Sequence, residues 1–139
     1  MPLETQEGMT LCPIPIRVLL VDDESEFTAV MAKRLGRLGM AVETATDGYE
    51  AYCILERAPV DVVVLDVLMP GLDGVQTLKA LRRRFPGVPV IMLTGQGSVL
   101  DGIKAIRAGA FDFLFKPTEA EELAARIREA VLTSLARNA

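Results

Sequence analysis

The sequence contains no histidine and no tryptophan, and only two cysteines, Cys12 and Cys53. Without histidine the chain cannot build a Ser-His-Asp triad or a His-ligated zinc site, and it cannot itself carry a phosphohistidine. The two cysteines lack the spacing of metal ligands, and no signal peptide is recognised, so they indicate free thiols in a reducing compartment. These absences exclude several hydrolase and zinc-protein classes and predict a cytoplasmic location.

Basic charge and long apolar runs are also scarce. Lysine and arginine total 15 against 19 acidic residues, which gives a net charge of −4. Because nucleic-acid-binding surfaces usually need a basic patch, this balance predicts no direct nucleic-acid partner. No apolar run approaches the roughly 20 residues that a membrane span requires, so no membrane association is predicted.

What the 139 residues do contain is a regular alternation of short apolar runs and helical stripes. Residues 1–15 have no period and are predicted to be a mobile leader, and residues 16–137 are predicted to form one domain. Five runs predict strands, at 16–21, 40–45, 62–65, 88–93 and 111–115. Since helical segments follow each of them, the fold class is α/β: a doubly wound parallel sheet with helices on both faces.

Four of the five predicted strands end at residues that could form parts of one site. Asp22 and Asp23 follow the first strand, Asp66 the third, Thr94 the fourth and Lys116 the fifth. In a parallel sheet these carboxyl ends share one edge, which is where such folds place their functional sites.

The chemistry of this set predicts a site for a phosphoryl group on Asp66. Three neighbouring carboxylates repel one another unless a cation lies among them, and a few hard oxygen ligands suit Mg²⁺ or Mn²⁺. A carboxylate can act as a nucleophile, while the cation and Lys116 neutralise the transferring group and Thr94 supplies a hydroxyl donor.

Each of these features taken alone has an ordinary structural explanation. An aspartate at a strand end, such as Asp66, is most often a helix cap or a turn residue. The acidic run at 22–24 is typical of a solvated helix start. The arginines at 82–84 are interpreted as a solvated helix end, where cations are favoured by the helix dipole. The joint placement of the parts at one sheet edge favours a common site.

Four motifs make the chain resemble the receiver domain of response regulators across about residues 16–135. These motifs are VLLVDDE at 18–24, VVLDVLMPGLDG at 63–74, IMLTG at 91–95 and AGAFDFLFKP at 108–117. The resemblance implies a flavodoxin-like, five-stranded sheet in the order 2-1-3-4-5 with five flanking helices. It also implies a role in a two-component system or phosphorelay, with a sensor histidine kinase or a histidine phosphotransfer protein as partner.

The resemblance further implies a role for each residue at the edge. Asp66 would be the phospho-acceptor. Asp22 and Asp23 would hold Mg²⁺ (or Mn²⁺) together with Asp66 and the backbone carbonyl of Leu68. Such a domain would be mainly a signalling switch that catalyses its own phosphorylation and slow dephosphorylation.

The remaining implied roles concern the phosphoryl oxygens and the switch. Thr94 and Lys116 would bind those oxygens, and the bond between Lys116 and Pro117 would be cis. Thr94 and Phe113 would form the switch, in which Phe113 acts through packing because it has no hydroxyl. The surface that changes would be the fourth helix, fifth strand and fifth helix, residues 98–135, through which a homodimer could form.

Two more residues bear on the phosphoryl lifetime. Leu68 is apolar and cannot orient the hydrolytic water, whereas Gln96 could. Because of Leu68, slow self-hydrolysis is expected.

Three alternative functions stay open. A phosphatase of the haloacid-dehalogenase type would need an aspartate at position 68. A flavodoxin-like electron carrier would need a phosphate loop after the first strand, where the acidic run at 22–24 would repel an anion. A receiver-like module that binds partners without phosphorylation would not need the intact acidic set.

Overall fold

The computed structural model describes residues 3–4, 10–11, 14–66, 74–95 and 99–137. The strands of its main sheet, labelled in chain order, are β1 (Arg17–Val21), β2 (Ala41–Ala45), β3 (Val62–Asp66), β4 (Val90–Thr94) and β5 (Asp112–Phe115). The helices are α1 (Ser25–Arg37), α2 (Gly48–Arg57), α3 (Gly74–Arg84), α4 (Val99–Arg107) and α5 (Ala120–Arg137). None of these helices is long and apolar enough to cross a bilayer.

The main sheet is parallel throughout, and its strands lie in the order β2-β1-β3-β4-β5. This confirms the predicted doubly wound fold. The central strands β3 and β4 are buried along their whole length, which explains why they appear in the sequence as unbroken apolar runs. The edge strand β2 is largely exposed, and it is also the strand to which no site residue was assigned.

Two hydrophobic clusters, one on each face of the sheet, hold the helices. The alternation of side chains along β1 divides them, since Val18 and Leu20 face one cluster while Leu19 and Val21 face the other. The first cluster joins the sheet to α1 and α5, and the second joins it to α2, α3 and α4. Helices on both faces leave the two ends of the sheet open, and the site lies at one of these ends.

Strand boundaries differ from the predicted ones at the points that matter for the site. β3 continues through Asp66 and β4 through Thr94, so both polar side chains belong to strand termini rather than to the following turns. β4 begins only at Val90, because Pro89 has no N–H to donate to a neighbouring strand. The carbonyl of Pro89 nevertheless accepts the N–H of Val63 at 3.0 Å.

The N-terminal residues contain an element that the sequence pattern did not predict. Leu3–Glu4 and Thr10–Leu11 pair as two short antiparallel strands ahead of the main sheet. The mobility of the leader and the domain boundary at residue 16 stay predictions.

Side chains near the starts of two helices bond in different ways. Asp47 caps α2, since its Oδ1 accepts the N–H of Glu50 at 2.8 Å. The start of α5 is arranged differently. The Thr118 hydroxyl donates instead to the carboxylate of Glu122 at 3.1 Å, because α5 begins two residues after Thr118.

The arginines at the end of α3 are more engaged than a solvated helix end. The guanidinium of Arg82 donates to the carbonyls of Pro86 at 3.0 Å and Val88 at 2.7 Å, which ties the helix to the loop before β4. Arg84 forms a 2.9 Å ion pair with Glu56 of α2. The sequence showed the positive charge but not these partners.

Candidate functional site

Three aspartates meet at the carboxyl ends of β1 and β3. One carboxylate oxygen from each of Asp22, Asp23 and Asp66 lies within 4.8 Å of the other two. Asp22 and Asp66 are 1% and 3% exposed, and Asp23 is exposed. Because burial makes mutual repulsion strong, this set has the composition of a site for a hard divalent cation.

The backbone fixes Asp22 at the end of its strand. Its N–H donates to the carbonyl of Ala45 in β2 at 3.0 Å, which continues the pairing of the two strands by one residue. Its Oδ1 accepts the N–H of Glu24 at 2.9 Å, so the chain turns directly into α1. Asp66 is held in register beside Leu93 of β4. The fold therefore places the two buried carboxylates before any ligand arrives.

Lys116 reaches across the edge from the end of β5. Its Nζ lies 2.6 Å from Asp22 Oδ2, 2.8 Å from Glu24 Oε1 and 3.4 Å from Asp66 Oδ2. The same ammonium lies 4.3 Å from the centroid of the Phe27 ring, a cation–π contact. The strand-end pattern placed Lys116 with Asp22 and Asp66 but not with Glu24 or Phe27. For Glu24 the available signal was its place as the third acid of the run at 22–24, and for Phe27 the sequence carried no signal.

The balance of charge at this edge shifts several pKa values. Burial raises the pKa of Asp22, and the nearby Asp66 charge adds to this, so the hydrogen bond from Lys116 only partly offsets the rise. For Lys116, burial lowers the pKa, but its hydrogen bonds to Asp22 and Glu24 outweigh that effect and leave it above its usual value. Lys116 in turn holds the pKa of Glu24 below its ordinary range. The edge therefore carries negative charge that one lysine does not balance.

Thr94 brings a hydroxyl to the same edge. Its side chain is buried, and within the described ranges its Oγ1 has no hydrogen-bond partner. Its backbone carbonyl accepts the N–H of Lys116 at 2.7 Å, so the two residues are tied together. Since a buried unpaired hydroxyl costs about 1–3 kcal/mol, this side chain is suited to donate to an oxygen of a group bound at the edge.

Phe113 lies near the site on the neighbouring strand. Its half-buried ring meets Phe115 edge-on, with centroids 5.5 Å apart, and on another side it approaches Gly102 of α4. The peptide bond between Lys116 and Pro117 is cis. The two residues assigned to lifetime tuning, Leu68 and Gln96, lie outside the described residues.

A doubly wound sheet with buried acids and a lysine at its carboxyl edge defines an α/β domain suited to hold a cation and an anion together. Comparison with known proteins narrows this class. The chain belongs to the response regulator receiver domain family, which its sequence matches over residues 18–128.

Individual relatives agree. The chain is 42% identical over 113 residues to the transcriptional regulatory protein TcrA of Mycobacterium tuberculosis, a match that covers 81% of this chain and 45% of TcrA. Among solved structures, it resembles the receiver domain of NtrX from Brucella abortus, with a TM-score of 0.77, 36% identity and coverage of 84% and 98% of the two chains.

A CheY-like receiver domain from Methanospirillum hungatei gives a TM-score of 0.83 at 25% identity, with coverage of 89% of this chain and 99% of that one. The chain spans about half the length of the curated relatives it matches, from 44% to 50%. The comparisons give no support to the haloacid-dehalogenase alternative.

Proposed function

We propose that this receiver domain accepts a phosphoryl group on Asp66 from a histidine of a sensor kinase or phosphotransfer protein. The observation that carries the proposal is the geometry of the carboxyl edge. There the Asp66 carboxylate lies 3.4 Å from the Lys116 ammonium and within 4.8 Å of two further carboxylates. Such an arrangement supports transfer because catalysis of phosphoryl transfer depends on positioning and on neutralising charge.

In the transfer step, a carboxylate oxygen of Asp66 attacks phosphorus while the bond from phosphorus to the partner's histidine nitrogen breaks. Asp22 and Asp23 would hold Mg²⁺ with Asp66 and the backbone carbonyl of Leu68. The cation would supply charge neutralisation for the phosphoryl oxygens. Lys116 would move from its carboxylate partners toward one of these oxygens and neutralise it further.

The switch would follow from the new anion. A phosphoryl group brings up to two negative charges and three acceptor oxygens to the edge. The unpaired hydroxyl of Thr94 would donate to one of them, and Phe113 would respond by a change in packing. The surface of α4, β5 and α5 within residues 98–135 would then change and favour a partner or a second copy of the chain.

Partners follow from the family and from the names of relatives. A histidine kinase or phosphotransfer protein would donate the phosphoryl group. Because TcrA is named a transcriptional regulator and this chain covers 45% of it, whole proteins of this kind would act on DNA through residues outside the receiver domain. The acidic net charge of −4 supports an indirect rather than direct role in DNA binding.

Incubation with acetyl phosphate and Mg²⁺, followed by intact-mass measurement, tests the proposal. We expect a mass gain of one phosphoryl group that Asp66→Asn abolishes and that EDTA prevents. Asp61→Asn, which alters an aspartate at the opposite end of the sheet, is the matched control and should still gain the group. Slow loss of the label would support the predicted long lifetime, which is attributed to the apolar Leu68.

Two outcomes would contradict the proposal. Equal labelling of the protein and of Asp66→Asn would place the acceptor elsewhere. Continuous release of inorganic phosphate from small phosphate esters, at a rate that Asp66→Asn removes, would support a phosphatase instead.

A further inference from the structure

Helix α4 contains a buried glycine in its second turn. Gly102 lies inside a helix that runs from Val99 to Arg107, where glycine is less favourable than alanine. A glycine at such a position is tolerated more readily when something nearby needs the space that a side chain would fill.

That space is taken by the ring of Phe113. A Cβ atom built on Gly102 would overlap Cε2 and Cζ of the ring and would lie 2.6 Å from Cε1, closer than real Cβ atoms approach another heavy atom. The ring thus rests on the bare backbone of α4. Gly36, which lies in α1, has nothing within 4 Å of the same constructed atom, so a glycine within a helix of this chain does not by itself imply such a close approach.

The strand register connects this contact to the site. Phe113 pairs with Met92 in the sheet, and Phe115 pairs with Thr94. Since side chains alternate between faces along a strand, Thr94 and Met92 share the face that carries Phe113. The ring therefore lies on the face of the sheet that carries the Thr94 side chain, beside Met92 and two residues back from the end of β5. On that face it contacts α4, and the Thr94 hydroxyl at the strand end has no hydrogen-bond partner among the described residues.

We propose that Gly102 is the positioning residue for the switch aromatic: its missing side chain lets the Phe113 ring rest on α4 in the unphosphorylated domain, and phosphorylation moves the ring off this glycine. The inference rests on the proposed function and adds the element that sets the resting state. Because Phe113 has no hydroxyl, its position depends on packing, and the contact with Gly102 is a part of that packing that involves α4.

Substitution of Gly102 by alanine should therefore act in the same direction as phosphorylation. The new methyl group would displace the ring, which can move away by rotation about its side-chain bonds. The packing of the unphosphorylated state would then be destabilised relative to that of the activated state. By linkage, a change that favours the activated arrangement must also favour the ligand that stabilises it. We expect the half-saturating concentration of beryllofluoride, in the presence of Mg²⁺, to fall about fivefold or more in Gly102→Ala, within the usual range of allosteric coupling.

The experiment compares four proteins with the parent domain: Gly102→Ala, Phe113→Ala, the double variant, and Gly36→Ala as the control for helix propensity. Thermal midpoints without ligand test the contact. Gly36→Ala should raise the midpoint, and Gly102→Ala should raise it only when Phe113 is also replaced, since only then is the methyl group free of the ring.

Beryllofluoride titrations, followed by the shift in thermal midpoint, then test the coupling. The ¹⁹F resonance of 4-fluorophenylalanine at position 113 should move in Gly102→Ala toward its position in the beryllofluoride-bound parent.

The outcomes separate this inference from the proposed function. If Gly102→Ala responds to beryllofluoride as the parent and Gly36→Ala do, the proposal is overturned, even if the thermal midpoints report the contact. A midpoint rise in Gly102→Ala that equals the rise in the Phe113→Ala background overturns it as well. If the parent domain gains no phosphoryl group from acetyl phosphate, the proposed function fails, and the thermal cycle still decides whether Gly102 positions the ring.

Discussion

The two ends of the parallel sheet treat their charged side chains in opposite ways. At the amino end, Arg17 binds Asp61 through its backbone N–H at 2.8 Å, its Nε at 3.1 Å and its NH2 group at 3.0 Å. At the carboxyl end, one lysine serves Asp22, Glu24 and Asp66 at 2.6, 2.8 and 3.4 Å. At the amino end one arginine balances one aspartate, whereas at the carboxyl end, within the described ranges, three acids share the ammonium of Lys116.

The pKa values of two aspartates express the same contrast. Burial raises the pKa of Asp61, but the hydrogen bonds and the charge of Arg17 outweigh it, so this pKa lies below its usual value. Burial also raises the pKa of Asp22, and there it prevails over Lys116. The difference teaches that partially buried charge by itself does not mark a functional site. The mark is buried charge that the protein's own residues leave unbalanced.

The largest expected effect comes from breaking the carboxyl end with Lys116→Met, which keeps an unbranched apolar side chain. Lys116 is 12% exposed and the Asp22 side chain 0%, so the substitution leaves a buried carboxylate without its cation. We expect a loss of about 3 kcal/mol in the free energy of unfolding, measured by urea denaturation without metal. Addition of Mg²⁺ should restore part of this loss, because a bound cation would replace the missing charge.

The control for that prediction is the double variant Asp22→Asn, Lys116→Met, in which both partners are neutral. It should recover most of the lost stability. If single and double variants are equally unstable, the loss comes from packing against Phe27 and the electrostatic contrast between the two ends is wrong.

A smaller effect is expected at the amino end from Arg82→Met, because Arg82 holds the loop that leads into β4 at that end of the sheet. This substitution removes the hydrogen bonds to the carbonyls of Pro86 and Val88 but keeps the apolar stem of the side chain. We expect a loss of about 1–2 kcal/mol in unfolding free energy and no change in phosphoryl uptake. Arg83→Met, at an exposed position beside it, should change stability by less than about 0.5 kcal/mol. Loss of phosphoryl uptake in Arg82→Met would show that the two ends are not independent.

The smallest expected effect is a pH-dependent difference in melting temperature caused by the Arg17–Asp61 pair. Because the pKa of Asp61 is lowered in the folded state, the Arg17 pair contributes stability above the unfolded pKa of about 3.9 and loses it as pH falls further. Asp61→Asn should therefore melt at a lower temperature than the parent near pH 7, with a difference that shrinks below about pH 3.9. Melting curves between pH 2.5 and 7 measure this, and a difference that stays constant with pH would refute the linkage.

Local sequence patterns predicted the sheet and most of the residues that meet at its carboxyl edge, because both depend on short-range signals. The run at 62–65 ahead of Asp66 predicted a buried strand that ends in a carboxylate, and β3 is buried along its whole length. The alternation with helical stripes then fixed a parallel sheet and hence a common edge for the strand ends. Such patterns do not fix individual side-chain hydrogen bonds, because several geometries satisfy the same residues, as at Thr118, whose hydroxyl donates to Glu122.

Contacts between elements distant in the chain were outside the reach of such patterns. Glu24 and Lys116 are 92 residues apart, and their 2.8 Å pair depends on how β5 and α1 meet. In the same way, Gly102 looks in the sequence like a weak point of a helix. Only the position of the Phe113 ring, set by the register of β4 and β5, gives that glycine a role.

By itself, the sequence determined which residues this domain could bring to its site, because strand ends in a parallel sheet must share an edge. Its lack of histidine also means that these 139 residues cannot themselves form a Ser-His-Asp triad. The tertiary structure alone decided how the charges are shared. Asp61 accepts from both the backbone N–H and the guanidinium of Arg17, while Asp22, Glu24 and Asp66 share the ammonium of Lys116. Electrostatic balance is a property of distances and burial, and these arise only when elements far apart in the chain pack together.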